Sequence, residues 1–356
     1  MLSFITNVFA QNKTGFAKAD DILKKLVRKK KVPGLAVTIT KNGHTEFSRG
    51  YGYANLVEQV EVNPSETIFR VGSVSKPIAA SGLAKLAEKH QIDIEKSIYT
   101  YLPNFPKKEA DFTLKQLGGH LAGIRNYKGN EFMNNKPLTI EEGVRLFEDD
   151  PLLFEPGNGY LYTSYSWNLL SLAMQEAVKK PFELIVEKEV LKPLSLYHTF
   201  PDKQQVVKNK AVFYQKKGWR RFVEVSKVNN YFKLAGGGYL STSEDIAKLG
   251  NAYLGNDFLS EDVKNEFVKS QKIGDKLTYY GIGWQSSFDH SNRPYFGHVG
   301  NGLSGYGIFY VYPKDNVVIS IMMNCSNPHQ DKKINAVIDA VFEEFSKADF
   351  IPMSTP

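Results

Sequence analysis

The chain has 356 residues, of which 42% are hydrophobic, 23% charged and 13% aromatic, a composition that excludes a disordered or fibrous protein. Its 45 Lys and Arg against 38 Asp and Glu leave a net charge of +7, and the single cysteine, Cys325, excludes an intramolecular disulfide or a cysteine-built metal cage. No apolar run approaches the roughly 18 residues of a membrane-spanning helix, so no stable membrane span is expected.

The first ten residues, MLSFITNVFA, end in Val8-Phe9-Ala10, the small-residue pattern of a signal cleavage site. They lack a basic lead, and Ser3, Thr6 and Asn7 interrupt them. Two readings stand for residues 1–16: a signal remnant of a periplasmic or secreted protein, or a flexible terminus of a cytoplasmic one. Ile22, Leu23, Leu26 and Val27 then recur at helical spacing within Asp20–Lys31, and Pro33-Gly34 stops that helix. Leu35, Val37 and Ile39 alternate with Ala36, Thr38 and Thr40, and Asn42-Gly43 is a strong hairpin turn, so two antiparallel strands follow.

Residues 76–285 are dominated by helical periods, as in SGLAKLAEKHQI, TIEEGVRLFEDD, SWNLLSLAMQEAVKK and SEDIAKLGNAYLG. Gln215–Arg221 and Gln271–Lys276 read as polar loops. Near the end, SGYGIFYVYPKDNVVISIMMN holds two strand-like runs, and Ile334, Val337, Ile338, Val341 and Phe342 mark one face of a last helix. Strands at both ends and helices between them predict an α/β protein of the α+β kind. One antiparallel sheet domain would be formed by 17–75 and 286–348, with a largely helical domain, 76–285, inserted and a tail at 349–356. A cleft between the two parts is the expected ligand site.

Phe69–Pro77 (FRVGSVSKP) contains the only S-x-x-K in the chain, Ser73-Val74-Ser75-Lys76, where a long helix begins. Residues three apart share a helix face, so Ser73 Oγ and Lys76 Nζ can meet beside the unpaired N–H groups of the helix start. An N-cap serine beside a solvated lysine is the plain alternative. Tyr-x-Asn/Ser occurs as Tyr53-Ala54-Asn55, Tyr162-Thr163-Ser164 and Tyr239-Leu240-Ser241. Only the second follows a Pro-Gly pair, Pro156-Gly157, and opens a helix, although Tyr160 and Tyr165 lie close enough to take its place. A literal Lys13-Thr14-Gly15 precedes Ser73, and Lys41-Asn42-Gly43, Lys216-Lys217-Gly218 and Lys272-Ile273-Gly274 compete on composition. His298-Val299-Gly300, the only H-x-G, alone stands just before the final strand pair.

In this order, the three motifs resemble those of the serine β-lactamase and penicillin-binding protein superfamily. Leu117–Arg125 (LGGHLAGIR) and Ala235–Asp245 (AGGGYLSTSED) are similar to its His-x-Ser-Gly and Gly-Gly-x-x-Ser-Thr segments, with Ala122 replacing a usual serine. The likeness runs over about residues 17–345 and is greatest to class C-type members: D-aminopeptidase-like, esterase-like and mitochondrial serine β-lactamase-like proteins. It implies the β-lactamase/transpeptidase-like fold, with Ser73 as nucleophile and Lys76, once neutral, as its base. Tyr162 would share the proton relay, and the N–H groups of Ser73 and Asn301 would hold the oxyanion beside Gly300.

Two departures carry weight. His298 stands where many relatives have lysine, which replaces a permanent cation by a group titrating near roughly 6.5 before any shift. Ser164 replaces an asparagine and loses its amide. Both weaken recognition of a β-lactam, so the expected function is a serine hydrolase of peptides, amides or esters with weak penicillin turnover at most. A penicillin-binding or sensor-type protein that acylates but turns over poorly, a true class C-type β-lactamase, and a filament-forming structural member remain alternatives. No cofactor or metal is implied, since the seven histidines show no H-E-x-x-H spacing. The basic runs at Lys24–Lys31 and at Lys216–Arg221 around Trp219 read as a solvated helix face and an exposed loop. No nucleic-acid motif accompanies either, so the expected partner is a small-molecule or peptide substrate, with the oligomeric state open. Cys325 ends an apolar strand and reads as packing.

Overall fold

Helix α1 (Ala17–Arg28) buries Ala19, Leu23 and Leu26 along one face. Strand β1 (Gly34–Lys41) turns through Asn42 and Gly43, at φ of 52° and 78°, into β2 (His44–Asn55), and the two-residue β3 (Val60–Glu61) extends that side. This computed structural model describes residues 14–348 except 204, 205, 219, 220, 226, 227 and 327. The candidate signal segment Met1–Ala10, the tail 349–356, Trp219 and Arg220 lie outside the described residues.

Three longer helices follow: α2 (Ser75–Glu88), α3 (Ser164–Val178) and α4 (Ser243–Leu254). The chain then returns to the sheet with β4 (Gln285–Phe288), β5 (Pro294–Gly302), β6 (Gly305–Tyr312) and β7 (Val317–Met323), and closes with α5 (Asp331–Ala348). Strand β7 pairs with β1, setting Ile321 opposite Val37 and Ile319 opposite Ile39. The seven strands lie in the order β4-β5-β6-β7-β1-β2-β3, antiparallel throughout.

The pleat sends alternate residues to opposite faces. Leu35, Val37, Ile39, Ile319 and Ile321 join one apolar cluster with α1 and with Ile334, Val337, Ile338 and Val341 of α5. On the other face, Ala36, Phe309, Val311, Val318 and Met322 join a larger cluster with α2, α3 and α4. Helix α2 is buried almost all round, from Ser75 to Ala84, because it runs between the sheet and the remaining helices. That placement takes Lys76 out of water.

Both stretches read as loops form short hairpins instead, Tyr214–Lys217 with Arg221–Glu224 and Lys272–Ile273 with Lys276–Leu277. Gly218 and Gly274 adopt positive φ beside them. Their few apolar residues fall on both faces, Phe222 beside Val223 and Ile273 opposite Lys276, so no alternation betrays them. Among the described residues no helix is long and apolar enough to cross a membrane.

Candidate active site

A tight turn, Gly72–Val74, leads directly into α2 and carries Ser73. Gly72 has φ 53°, and a Cβ there would lie 2.9 Å from the Gly302 nitrogen and 3.0 Å from the Asn301 nitrogen. A Cβ on Gly300 would meet the Val71 carbonyl oxygen at 1.9 Å. Strand β5 therefore lies against the Ser73 turn with no room for side chains at either contact. Gly300 serves this close approach.

Ser73 Oγ accepts from Lys76 Nζ at 3.2 Å and from the Tyr162 hydroxyl at 2.7 Å. One turn separates Ser73 from Lys76, while Tyr162 arrives ahead of α3, whose start is fixed by the Thr163 side chain accepting from the Tyr165 N–H. Lys76 also donates to Ser164 Oγ at 3.2 Å and to the Gly236 carbonyl at 2.6 Å, and it sits 4.7 Å above the Tyr162 ring. Tyr127 hydrogen-bonds Ser164. Lys76 is fully buried, and no carboxylate pairs with it among the described residues. Burial lowers its pKa from 10.5 to about 7. The Tyr162 phenol is pushed the other way, above its ordinary value, again by burial.

His298 is buried beneath this pair. Its Nδ1 lies 2.7 Å from the Val299 carbonyl, an acceptor only, so Nδ1 carries the proton. The Tyr280 hydroxyl then donates to Nε2 at 2.9 Å. Burial first, and the nearby Lys76 second, lower the His298 pKa from 6.5 to about 3. The ordinary value applied before any shift, and with this one the imidazole is neutral at physiological pH. Its ring lies 6.0 Å from that of Tyr162, so it packs beside the phenol rather than against Ser73.

His120, from LGGHLAGIR, accepts the Thr163 N–H on Nδ1 and packs its ring 4.5 Å from Tyr162 and 4.7 Å from Tyr280. Ser73, Tyr162, Ser164 and Asn301 line a cavity of about 180 Å³ together with Gly236, Gly237, Arg70 and Lys233. A wider surface groove of about 760 Å³ beside Tyr253 and Phe288 holds none of the motif residues, so size alone does not select the site. Tyr280, Tyr127, Lys233 and the Gly236 carbonyl were not anticipated. Nothing local distinguishes Tyr280 among 19 tyrosines, and a carbonyl leaves no trace in a motif.

A profile of the family described as Beta-lactamase matches residues 19–342. The chain belongs to the β-lactamase family. The human mitochondrial serine beta-lactamase-like protein LACTB is 28% identical over 303 residues, which cover 65% of this family member and 55% of LACTB. The chain thus spans little more than half the length of that curated relative. The octameric penicillin-binding protein homologue from Pyrococcus abyssi superposes with a TM-score of 0.80 at 22% identity, over 92% of this chain and 77% of that one. The D-amino acid amidase from Ochrobactrum anthropi SV3, complexed with L-phenylalanine amide, gives 0.80 at 17% identity, over 94% and 100%. At such identities the likeness is one of fold, and this family member has the β-lactamase/transpeptidase-like fold.

Proposed function

We propose that the protein is a serine hydrolase that forms an acyl-enzyme through Ser73 on a peptide, amide or ester. The observation that carries this reading is the double contact on Ser73 Oγ, from Lys76 at 3.2 Å and from Tyr162 at 2.7 Å, with Lys76 buried and without a carboxylate partner among the described residues. A lysine at its ordinary 10.5 would be neutral in about three molecules per ten thousand at pH 7, whereas one near 7 is neutral in about half. Burial therefore turns Lys76 into a base.

As Ser73 Oγ bonds to the substrate carbonyl carbon, its proton passes to Lys76 Nζ. Tyr162, kept as a phenol by burial, supplies the proton that the leaving group takes as its bond to carbon breaks, and Lys76 returns one to Tyr162. Water repeats the sequence and releases the acid. The oxyanion is assigned to the backbone N–H groups of Ser73 and Asn301, each such donor being worth about 2.7–4 kcal/mol. His298, neutral and held by Tyr280, supports the Tyr162 ring without adding charge. With no cation at that position and Ser164 lacking an amide, penicillin turnover is expected to be weak. The D-amino acid amidase of the same fold and the serine β-lactamase-like LACTB support a hydrolase of this broad class.

Intact-mass measurement after incubation with 4-nitrophenyl acetate or a fluorophosphonate tests the reading. One adduct is expected on the wild type and none on Ser73→Ala. An adduct on the alanine variant would remove Ser73 from its role. A persistent stoichiometric adduct without turnover of either a neutral or an anionic ester would make the protein a sensor-type acyl acceptor instead. Nitrocefin hydrolysis as fast as ester hydrolysis would make it a true β-lactamase.

A further inference from the structure

The reaction above leaves unused one buried cation of the site that has no carboxylate partner among the described residues. Lys233 ends the turn Tyr231–Lys233, immediately ahead of the short helix Leu234–Gly237 whose Gly236 carbonyl holds Lys76. It lines the same cavity as Ser73 and is only 6% exposed. Its ammonium donates to the Phe132 carbonyl at 2.6 Å and lies 4.7 Å from the Phe132 ring and 5.3 Å from that of Phe232. Among the described residues no carboxylate comes within ion-pair distance of it. The acid that influences it, Asp202, is already engaged by Arg70 at 2.9 Å, by Lys210 at 2.5 Å and by Asn230 at 2.9 Å.

Arg70 lines the cavity as well, and the Asp202 carboxylate behind it is shared between Arg70 and Lys210, which leaves Lys233 as a second lining cation without its own counter-ion among the described residues. Withdrawing an ammonium from water without a counter-ion is costly. Burial, with Arg70 as the second cause, lowers the Lys233 pKa from 10.5 only to about 8, so most of the population stays charged at neutral pH. Across the site His298 supplies no positive charge. Ser73 and Lys233 both line this one cavity of about 180 Å³, so a single small ligand can meet both.

We propose that Lys233 is a specificity-determining residue that binds a carboxylate of the substrate, which makes the substrate class an ester or amide bearing a free carboxylate a few bonds from the scissile carbonyl. This rests on the reading of Ser73 as nucleophile. The carboxylate belongs either to the acyl part or to the leaving group, and the same lysine chemistry serves both.

Two ester pairs separate these sources. The acyl pair is 4-nitrophenyl hydrogen glutarate against its methyl ester, and the leaving-group pair is 4-acetoxybenzoate against methyl 4-acetoxybenzoate. For each pair the ratio of kcat/KM, anionic over neutral, is measured on one preparation after correction for hydrolysis in buffer, so any loss of folded protein cancels. In the wild type at least one ratio is expected to be about 10 to 100, the range of a buried charge-assisted hydrogen bond. Lys233→Met should bring that ratio to within about threefold of unity, and Lys233→Arg should keep most of it. Ratios near unity for both pairs in the wild type would overturn the proposal and leave Ser73 in place, whether or not a variant folds. A high ratio that survives in Lys233→Met would overturn it equally. No turnover and no Ser73 adduct with any of the four esters would overturn the nucleophile reading, and the proposal with it.

Discussion

The two faces of the central sheet are both packed with apolar side chains, yet β1 meets its helices differently on each, through apolar groups alone on the outer face and through hydroxyls as well on the inner one. Leu35, Val37 and Ile39 of β1 meet α1 and α5 in a layer of apolar contacts. Their neighbours Thr38 and Thr40 point the other way, where Thr38 Oγ1 meets Ser243 Oγ at 2.9 Å and Thr40 Oγ1 donates to Asn251 Oδ1 at 2.6 Å. Apolar packing is non-directional and tolerates exchange among side chains of similar volume. Hydrogen bonds set α4 at one register on the inner face, and the Ser73 turn and α2 are buried on that side. Stability can reside on either face, but atoms placed to a few tenths of an ångström require the directional one.

Substitutions that separate the faces test this contrast. The largest effect is expected for Lys76→Ala on the inner side, where loss of the base should lower kcat/KM about 10²- to 10⁴-fold while a cooperative thermal transition persists. Ester turnover within tenfold of the wild type would break the assignment. On the outer side, Leu23→Ala should cost about 2–5 kcal/mol in urea unfolding and leave kcat/KM per folded molecule unchanged. A changed kcat/KM there would mean that the faces are coupled.

The pH profile comes next. Only neutral Lys76 accepts a proton, and its folded pKa is lowered to about 7, so activity is lost as pH falls through 7. At pH 6, kcat/KM should be about tenfold below a plateau reached near pH 8. A rise that continues to pH 10 would show a solvated lysine. The smallest effect is expected for Tyr280→Phe, which strips the donor from His298 Nε2. It should lower kcat about three- to tenfold with KM held, measured by steady-state kinetics on one neutral ester.

Much of this site was legible because its parts are local. Ser73 and Lys76 lie one turn apart, and helix geometry alone brings them together. Tyr162 and His298 required the order of three motifs, since Tyr-x-Asn/Ser recurs and single histidines carry little signal. Gly300 was legible as part of a motif, but the closeness of the Val71 carbonyl, which leaves no room for a Cβ, was not, because it belongs to a crossing of distant segments. Tyr280 and Lys233 left no signal, for neither follows a pattern in its own segment.

Length, the absence of a long apolar run and the single cysteine bounded what the chain is, and the alternation in β1, the helical periods and five ordered segments determined its fold and the identity of its candidate nucleophile. Only the tertiary structure decided the charges. Lys76 moves toward neutrality, His298 is neutral outright and Lys233 remains a cation, three outcomes set by how much water each side chain loses and which charges lie near it. Those quantities depend on residues far apart in the chain, so no window of sequence contains them.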